Sequence, residues 1–131
     1  MRITGIDHLV LTVASIEAAV DFYSRVLGME VITFGQGRTA LRLGGQKINL
    51  HAARAPIAPH ADRPVPGSAD LCLVAVGGID AAAAHLAACG VPVELGPVER
   101  AGARGPVRSL YVRDPDRNLV ELAFYDGAAK A

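Results

Sequence analysis

Four short apolar segments each place polar side chains on one face of a strand, and these side chains are the ones most able to do chemistry. The segments are "HLVLTV", "KINLHA", "DLCLVA" and "LVELAF". Because successive side chains of a strand point to opposite faces, one face of each segment is aliphatic or aromatic and the other is polar. The polar faces carry His8, Asn49 with His51, Asp70 and Glu121.

One imidazole and two carboxylates predict a site of ionisable groups whose charge must be balanced or solvated. A carboxylate in a partly dry cavity is costly, so His8, Asp70 and Glu121 together call for a divalent cation, a shared proton or a water-filled space. A divalent metal ion would satisfy all three groups at once. For any one of these residues taken alone, the alternative is a solvated side chain on an exposed sheet face.

The elements that would position these residues occur twice in the same order. The first half predicts a strand over 4–13, a helix capped by Ser15 and ended by Gly28, and three strands. Those three strands are "EVITF", "RTALRL" and "QKINLHAA". The second half predicts the strand "DLCLVAV", the helix "GIDAAAAHLAACG", and the strands "VPVEL", "VRSLYVR" and "NLVELAFY". Each half therefore reads as βαβββ.

The expected fold class is α+β, a single domain over 1–131 made of two βαβββ modules. The modules span about 4–53 and 69–125, and a proline-rich connection over 53–68 joins them. Helices would cover the outer face, and a curved mixed sheet would surround an open cup. The side chains His8, Asn49, Asp70 and Glu121 would point into that cup.

Composition narrows the range of partners. Thirteen basic residues balance thirteen acidic ones, so no overall field attracts nucleic acid or anionic lipid. No apolar run is long enough to span a bilayer, and the N-terminus lacks the pattern of a secretory signal, so a cytoplasmic location is expected. Cys72 and Cys89 sit in apolar sequence and are interpreted as reduced, buried thiols.

Two longer segments resemble a known family. "GIDHLVLTV" with "AAVDFYSRVLGME", and later "SLYVRDPDRNLVELAFY", resemble the vicinal oxygen chelate superfamily, also called the glyoxalase/bleomycin-resistance/dioxygenase superfamily. The resemblance extends over about residues 4–125. Within the superfamily, "INLH", "GSADLC" and "RDPDRNLVE" resemble the branch called glyoxalase domain-containing protein 5.

The resemblance implies a divalent metal held by residues of the first, fourth, fifth and eighth strands, and frequently a homodimer. His8 matches the first-strand histidine ligand and Glu121 the last-strand glutamate ligand. Asp70 stands at a position that is commonly histidine. Asn49 stands where glyoxalase I has glutamate, and an amide cannot accept and return a proton at neutral pH. This departure argues against glyoxalase I activity.

The predicted metal ligands are therefore His8, Asp70 and Glu121. An oxygen-rich site of this kind favours Mn²⁺, Fe²⁺ or Mg²⁺, with Zn²⁺ and Ni²⁺ as alternatives. His51 would bring a second imidazole if it turned toward the metal.

Four further residues are candidates for contact with substrate or its protons. Tyr111 and His51 are the candidate catalytic groups, although a tyrosine in a strand more often only packs. Asn49 and Arg108 are candidate substrate contacts, and Arg108 lies in "RAGARGPVRS", which is predicted to be a glycine- and arginine-rich loop. The alternative for the loop arginines is simple solvation.

Two functions remain open at this point. The first is a metal-dependent lyase, isomerase or dioxygenase that acts on a small oxygenated metabolite, without a nucleotide or other organic cofactor. The second is a protein of the bleomycin-resistance type that binds and sequesters a small molecule without metal. Three converging ionisable groups favour the enzyme, and the lack of tryptophan leaves little to line a large aromatic groove.

Overall fold

The computed structural model describes residues 1–125 and contains two units of the same architecture. The first unit is Met1–Ser68, and the second begins at Ala69. The first contains β1 (His8–Val13), α1 (Ile16–Asp21), β2 (Glu30–Phe34), β3 (Arg38–Leu43) and β4 (Gln46–Ala52). The second contains β5 (Asp70–Val74), α2 (Ile79–Ala88), β6 (Leu95–Gly102), β7 (Gly105–Arg113) and β8 (Leu119–Phe124). The predicted α+β class with two βαβββ modules is confirmed.

Each unit has its own four-stranded mixed sheet, and the two sheets correspond strand for strand. Their orders are β1-β4-β3-β2 and β5-β8-β7-β6. The first and last strands of each unit pair in parallel, and the other neighbours are antiparallel. The internal repeat seen in the sequence is therefore a repeat of topology.

Helix α1 begins at the Ser15 cap, whose Oγ accepts a hydrogen bond from the Ala18 amide at 3.1 Å. The helix continues as a π-helical turn over Phe22–Val26, which buries Phe22, Tyr23 and Val26. The rings of Phe22 and Tyr23 meet edge to face, with centroids 5.1 Å apart. These side chains are part of the buried apolar core.

Strand β1 begins later than predicted, at His8 rather than near residue 4. Its register starts with His8 opposite Lys47, because β4 itself begins at Gln46. Residues before His8 thus have no partner strand in the ladder. The Gln46 side chain instead donates a hydrogen bond to the Ile6 carbonyl oxygen at 2.8 Å.

The second strand of the second unit was predicted wrongly. "VPVEL" lies almost wholly outside β6, and "RAGARGPVRS" is a hairpin rather than a loop. Gly102 pairs with Gly105 across a two-residue turn, and a bulge between Leu95 and Val98 accommodates Gly96 and Pro97. The glycines permit a tight turn and a bulge, so residues that suggest a loop form two long paired strands.

The "DPDRN" segment forms a closed hydrogen-bonded turn between β7 and β8. Asp114 Oδ1 accepts from the amides of Asp116 and Asn118 at 2.9 Å each, and Asp114 Oδ2 accepts from Asn118 Nδ2 at 2.8 Å. Asn118 Oδ1 then accepts from the Ala69 amide at 2.8 Å. The turn therefore fixes the start of β5, where Asp70 lies.

No helix within residues 1–125 is long and apolar enough to cross a membrane.

Candidate functional site

The polar residues lie on the face of each sheet that is turned away from its own helix, which we call the far face. In the first unit the register sets Asn49 beside Val10 and His51 beside Thr12. In the second unit it sets Glu121 between Cys72 and Tyr111. Asn49 and Glu121 are thus equivalent positions, as the sequence predicts.

Asn49 and His51 are buried rather than open to solvent, with exposed fractions of 5% and 3%. Within the described part of the chain, Asn49 Oδ1 and His51 Nδ1 have no hydrogen-bond partner. A buried acceptor or donor without a partner is destabilising and is uncommon in folded proteins. Both atoms are therefore candidates for contact with a bound molecule.

The partner of His51 is a cation. The Arg38 guanidinium donates a hydrogen bond to His51 Nε2 at 3.3 Å. Since arginine can only donate, Nε2 carries no proton and the neutral ring holds its proton on Nδ1. Burial, and then the positive charges of Arg38 and His60, lower the pKa of His51 below its ordinary value of 6.5.

A cavity of about 300 Å³ adjoins His51 in the first unit. Its walls come from β1, β4 and the proline-rich connection, which passes over this end of the far face. The lining residues are Val10, Thr12, His51, Pro59, His60, Ala61 and Pro64. The sequence does not reveal this cavity, because it depends on where a segment without regular structure crosses the sheet.

His8 lies at the start of β1 with its side chain 42% exposed. Its Nδ1 lies 2.8 Å from Asp7 Oδ2, which leaves Nε2 as the ring nitrogen not engaged in that contact. Metal-ligating histidines commonly have this kind of carboxylate partner on the second ring nitrogen.

Glu121 is held by a neighbouring strand. Ser109 Oγ donates a hydrogen bond to Glu121 Oε2 at 2.7 Å, and Ser109 is fully buried. This contact fixes the carboxylate on the far face of the second sheet. Sequence reasoning missed Ser109, although its spacing two residues before Tyr111 places both on one face of β7.

Cys72 corrects the expectation of a buried thiol, because it is exposed on the far face beside Glu121. Partial desolvation of the sulfur, followed by the charge and hydrogen bond of Glu121 and the charge of Asp70, raises the pKa of Cys72 to about 11. The thiol therefore stays protonated at neutral pH and is not a nucleophile there. Cys89 is half-buried at the end of α2, with its Sγ 3.6 Å from His85 Nε2.

Tyr111 lies on the far face opposite Glu121 in the β7–β8 register. Its hydroxyl oxygen accepts a hydrogen bond from Arg100 Nε at 3.0 Å, and the Arg100 guanidinium lies 5.5 Å from the centre of the ring. Because the oxygen accepts from Arg100, its own proton is available to another acceptor.

Arg108 is placed apart from the other candidates. It pairs with Glu99 and Phe124, and its odd spacing from Tyr111 directs its side chain to the helix side of the sheet. The structure thus separates Arg108 from Glu121 and Tyr111 by the thickness of the sheet.

Residues 1–125 contain no group of three or more histidine, cysteine, aspartate or glutamate side chains gathered closely enough to hold a metal ion. Imidazole nitrogen and carboxylate oxygen are nonetheless ligand types that divalent cations take in proteins. His8 and Glu121 are accessible and each has the hydrogen-bond partner typical of a ligand.

The chain thus consists of two βαβββ units with polar residues at matching positions of their first and last strands. This arrangement can be compared with protein families of known sequence. The profile of the Glyoxalase/Bleomycin resistance protein/Dioxygenase superfamily matches residues 5–122. The chain belongs to this superfamily.

Two curated proteins are similar over most of the chain. Virulence protein STM3117 of Salmonella typhimurium is 48% identical over 125 residues, covering 95% of this chain and 87% of that protein. Glyoxalase domain-containing protein RDO1 of Mycosarcoma maydis is 50% identical over 128 residues, covering 98% and 72% respectively.

Solved structures agree with this assignment. The crystal structure of STM3117 matches with a TM-score of 0.93 at 48% identity, covering 95% of this chain and 99% of that one. An integron cassette protein from the mobile metagenome of V. cholerae matches with a TM-score of 0.94 at 47% identity, covering 96% and 98%.

Proposed function

We propose that this chain is a divalent-metal-dependent enzyme of the lyase, isomerase or dioxygenase type that acts on a small oxygenated metabolite. His8, Asp70 and Glu121 would hold the metal, with Mn²⁺, Fe²⁺ or Mg²⁺ favoured by the oxygen-rich donor set. The observation that carries the proposal is that two of the candidate ligands, His8 and Glu121, already have the hydrogen-bond partners of ligands, in Asp7 and Ser109.

The metal would supply Lewis acidity toward two neighbouring oxygens of the substrate. Ser109 keeps the Glu121 carboxylate in place, so this group needs no reorganisation when it binds a cation. Tyr111, held through its oxygen by Arg100, would donate its proton to a substrate oxygen. His51 would orient substrate as a neutral ring through Nδ1–H.

Glyoxalase I chemistry is left out of this proposal. That reaction depends on a carboxylate at the position of Asn49, and the amide here has a buried oxygen that finds no partner in the described part of the chain. Such an oxygen can accept a hydrogen bond from substrate, but it cannot carry a proton between two carbon atoms. Arg108 also has no part in the proposal, because it lies on the opposite face of its sheet.

Metal binding tests the proposal directly. Wild-type protein purified without chelator should bind Mn²⁺ near one ion per chain, as measured by elemental analysis and by titration followed with electron paramagnetic resonance. His8→Ala and Glu121→Gln should each weaken the affinity by at least about 100-fold, and Ser109→Ala by about 10-fold. The matched controls His85→Ala and Glu99→Gln should bind as the wild type does.

Wild-type protein that holds less than about a tenth of an ion per chain after loading with Mn²⁺ or Fe²⁺ would overturn the proposal. So would equal affinities in Glu121→Gln and Glu99→Gln.

A binding protein without metal is the second candidate function. The cavity beside His51 supports it, because none of the candidate metal ligands lines that cavity. A chain that fails the metal test but retains a ligand in the cavity would favour sequestration over catalysis.

We also propose that the chain belongs with the glyoxalase domain-containing protein 5 branch and forms a homodimer. The "glyoxalase domain-containing" name of the relative RDO1 supports the branch. A light-scattering mass of two chains at micromolar concentration is expected, and a mass of one chain would contradict the dimer.

A further inference from the structure

A histidine and a cysteine lie one turn apart at the end of α2, outside the sites described above. Cys89 Sγ is 3.6 Å from His85 Nε2, and the Cys89 amide donates a hydrogen bond to the His85 carbonyl oxygen at 2.9 Å. Residues four apart on a helix share one face, so the backbone of α2 places the two side chains side by side. The far face of the second sheet is turned away from α2, and the pair is therefore separate from Glu121.

The distance between these two side-chain atoms matches the distance that one tetrahedral metal ion requires. Zinc lies about 2.3 Å from a cysteine sulfur and about 2.0 Å from a histidine nitrogen, with about 109° between tetrahedral ligands. A sulfur and a nitrogen that bind the same zinc ion are therefore about 3.5 Å apart. Ligands spaced four residues apart on one helix are also an established arrangement for zinc. An ion between Sγ and Nε2 would thus take the place of the proton in their hydrogen bond.

The surroundings of the pair favour a cation. His85 and Cys89 occupy the last turn and the cap of α2, and the C-terminal end of a helix carries a partial negative charge. No lysine or arginine occurs in residues 78–90 to oppose a bound cation. His85 is exposed and Cys89 is half-buried. Their exposed neighbours Ala81 and Ala88 are small, which leaves room for an ion and its water ligands.

We propose that His85 and Cys89 form a binding site for Zn²⁺, with water or a ligand from solution at the two remaining positions. Thiolate and imidazole are ligands that zinc takes readily, whereas Mn²⁺ and Mg²⁺ prefer oxygen. The site lies wholly within α2 and its cap and shares no residue with the proposed metal centre. Zinc binding here therefore does not depend on whether His8, Asp70 and Glu121 hold a metal ion.

Cobalt titration tests the proposal, because Co²⁺ bound to a cysteine sulfur gives a charge-transfer absorption band that oxygen and nitrogen ligands do not give. The titration uses Cys72→Ser protein, in which Cys89 is the remaining thiol of the sequence. The band should rise to saturation, and excess Zn²⁺ should remove it by displacing Co²⁺. Because the ligand is the thiolate, Zn²⁺ binding should also release protons, which a pH indicator dye detects.

Variants in the Cys72→Ser background separate a paired site from an isolated thiol. Cys89→Ser should abolish the band, and His85→Ala should weaken the Co²⁺ affinity by at least about tenfold. The matched control combines Ala87→Cys with Cys89→Ala, which keeps a histidine and a cysteine on α2 but directs them to different faces. This control should also bind at least about tenfold more weakly. Glu121→Gln, at the proposed metal centre, should leave the band unchanged.

Absence of the charge-transfer band in Cys72→Ser protein would overturn the proposal. Equal Co²⁺ affinities with and without His85→Ala would do the same, since Cys89 would then bind metal as an isolated thiol. His85 is exposed, so this comparison stays available if Cys89→Ser does not fold. Full affinity in the control with the displaced thiol, or loss of the band in Glu121→Gln, would also contradict a site built from His85 and Cys89.

Discussion

The far faces of the two sheets share a topology and differ in how their charged groups are neutralised. In the second unit, Glu121 accepts from Ser109, and Arg113 makes two hydrogen bonds to Glu94 at 2.9 and 3.0 Å. In the first unit, Arg38 contacts a neutral histidine and no carboxylate within the described range. In the second unit these charged side chains are therefore hydrogen-bonded to partners within the unit. In the first unit the positive charge of Arg38 has no carboxylate partner among the described residues.

This difference shows what an internal repeat preserves. The strand order and register repeat, so Asn49 and Glu121 occupy equivalent places. Yet one is a buried amide whose oxygen has no partner among residues 1–125, and the other is a half-exposed carboxylate with a partner. Position is thus inherited from topology, whereas chemistry is set separately in each unit by the neighbouring side chains.

The largest expected effect comes from the turn that exists only in the second unit. Asp114→Ala removes the acceptor of three hydrogen bonds and leaves buried donors unsatisfied, so we expect a loss of about 4 kcal/mol in the free energy of unfolding. Urea unfolding measures this loss. Asp62→Ala, at a fully exposed carboxylate, is the control, and a loss below about 1 kcal/mol for Asp114→Ala would contradict the interpretation.

The second effect separates steric collision from backbone strain in the β6–β7 hairpin. Gly96 and Gly105 have nearly the same positive φ, +125° and +126°, but only at Gly96 would a Cβ collide with the Ser109 carbonyl oxygen. Gly96→Ala should therefore destabilise the protein by about 2 kcal/mol more than Gly105→Ala. Thermal unfolding of both variants checks this, and equal melting temperatures would show that the collision is relieved.

The third effect concerns the buried histidine of the first unit. Since burial and two positive charges lower the pKa of His51 in the folded protein, the unfolded chain binds a proton near pH 6.5 that the folded protein does not yet bind. Wild-type stability should therefore fall as the pH drops through this range.

His51→Gln lacks that dependence. Its destabilisation relative to wild type, about 1 kcal/mol at pH 7.5, should shrink at pH 5.5. Urea unfolding at both pH values makes the comparison, with His85→Gln as the control. A constant difference between wild type and His51→Gln would show that the ring is not kept neutral.

The smallest effect leaves stability unchanged and reports on the second face. With a pKa of about 11, Cys72 should react slowly with iodoacetamide at pH 8 despite its exposure. In a Cys89→Ala background, Glu121→Gln should speed alkylation several-fold by removing the neighbouring charge. Unchanged rates would mean that Glu121 does not act on this thiol.

Most of the fold follows from patterns of short range. Alternation of apolar residues, the Ser15 cap and the glycine stops predict seven of the eight strands and both helices, because hydrogen bonds and side-chain direction are local properties. Strand β6 could not be found this way. It contains Glu99 and Arg100, and only its pairing with β7 makes it a strand.

The sequence predicts on which face of its strand each candidate site residue lies, but not what surrounds the side chain there. Alternation places Asn49 with His51, and Glu121 with Tyr111, on far faces. Burial of His51, its contact with Arg38 and the cavity depend on residues distant in sequence. The exposure of Cys72 was not predictable, because apolar neighbours along the chain do not imply apolar neighbours in space.

The parallel pairing of first and last strands has a consequence for the order in which the chain folds during synthesis. Strand β1 cannot pair until Lys47, the partner of His8, has been synthesised. Strand β5 likewise cannot pair until Leu119, the partner of Asp70, has been synthesised. The first sheet can close once Ala52 has left the ribosome, whereas the second cannot close before Phe124 has left it. We expect the amino-terminal unit to be protected from proteolysis on stalled nascent chains well before the carboxyl-terminal unit is.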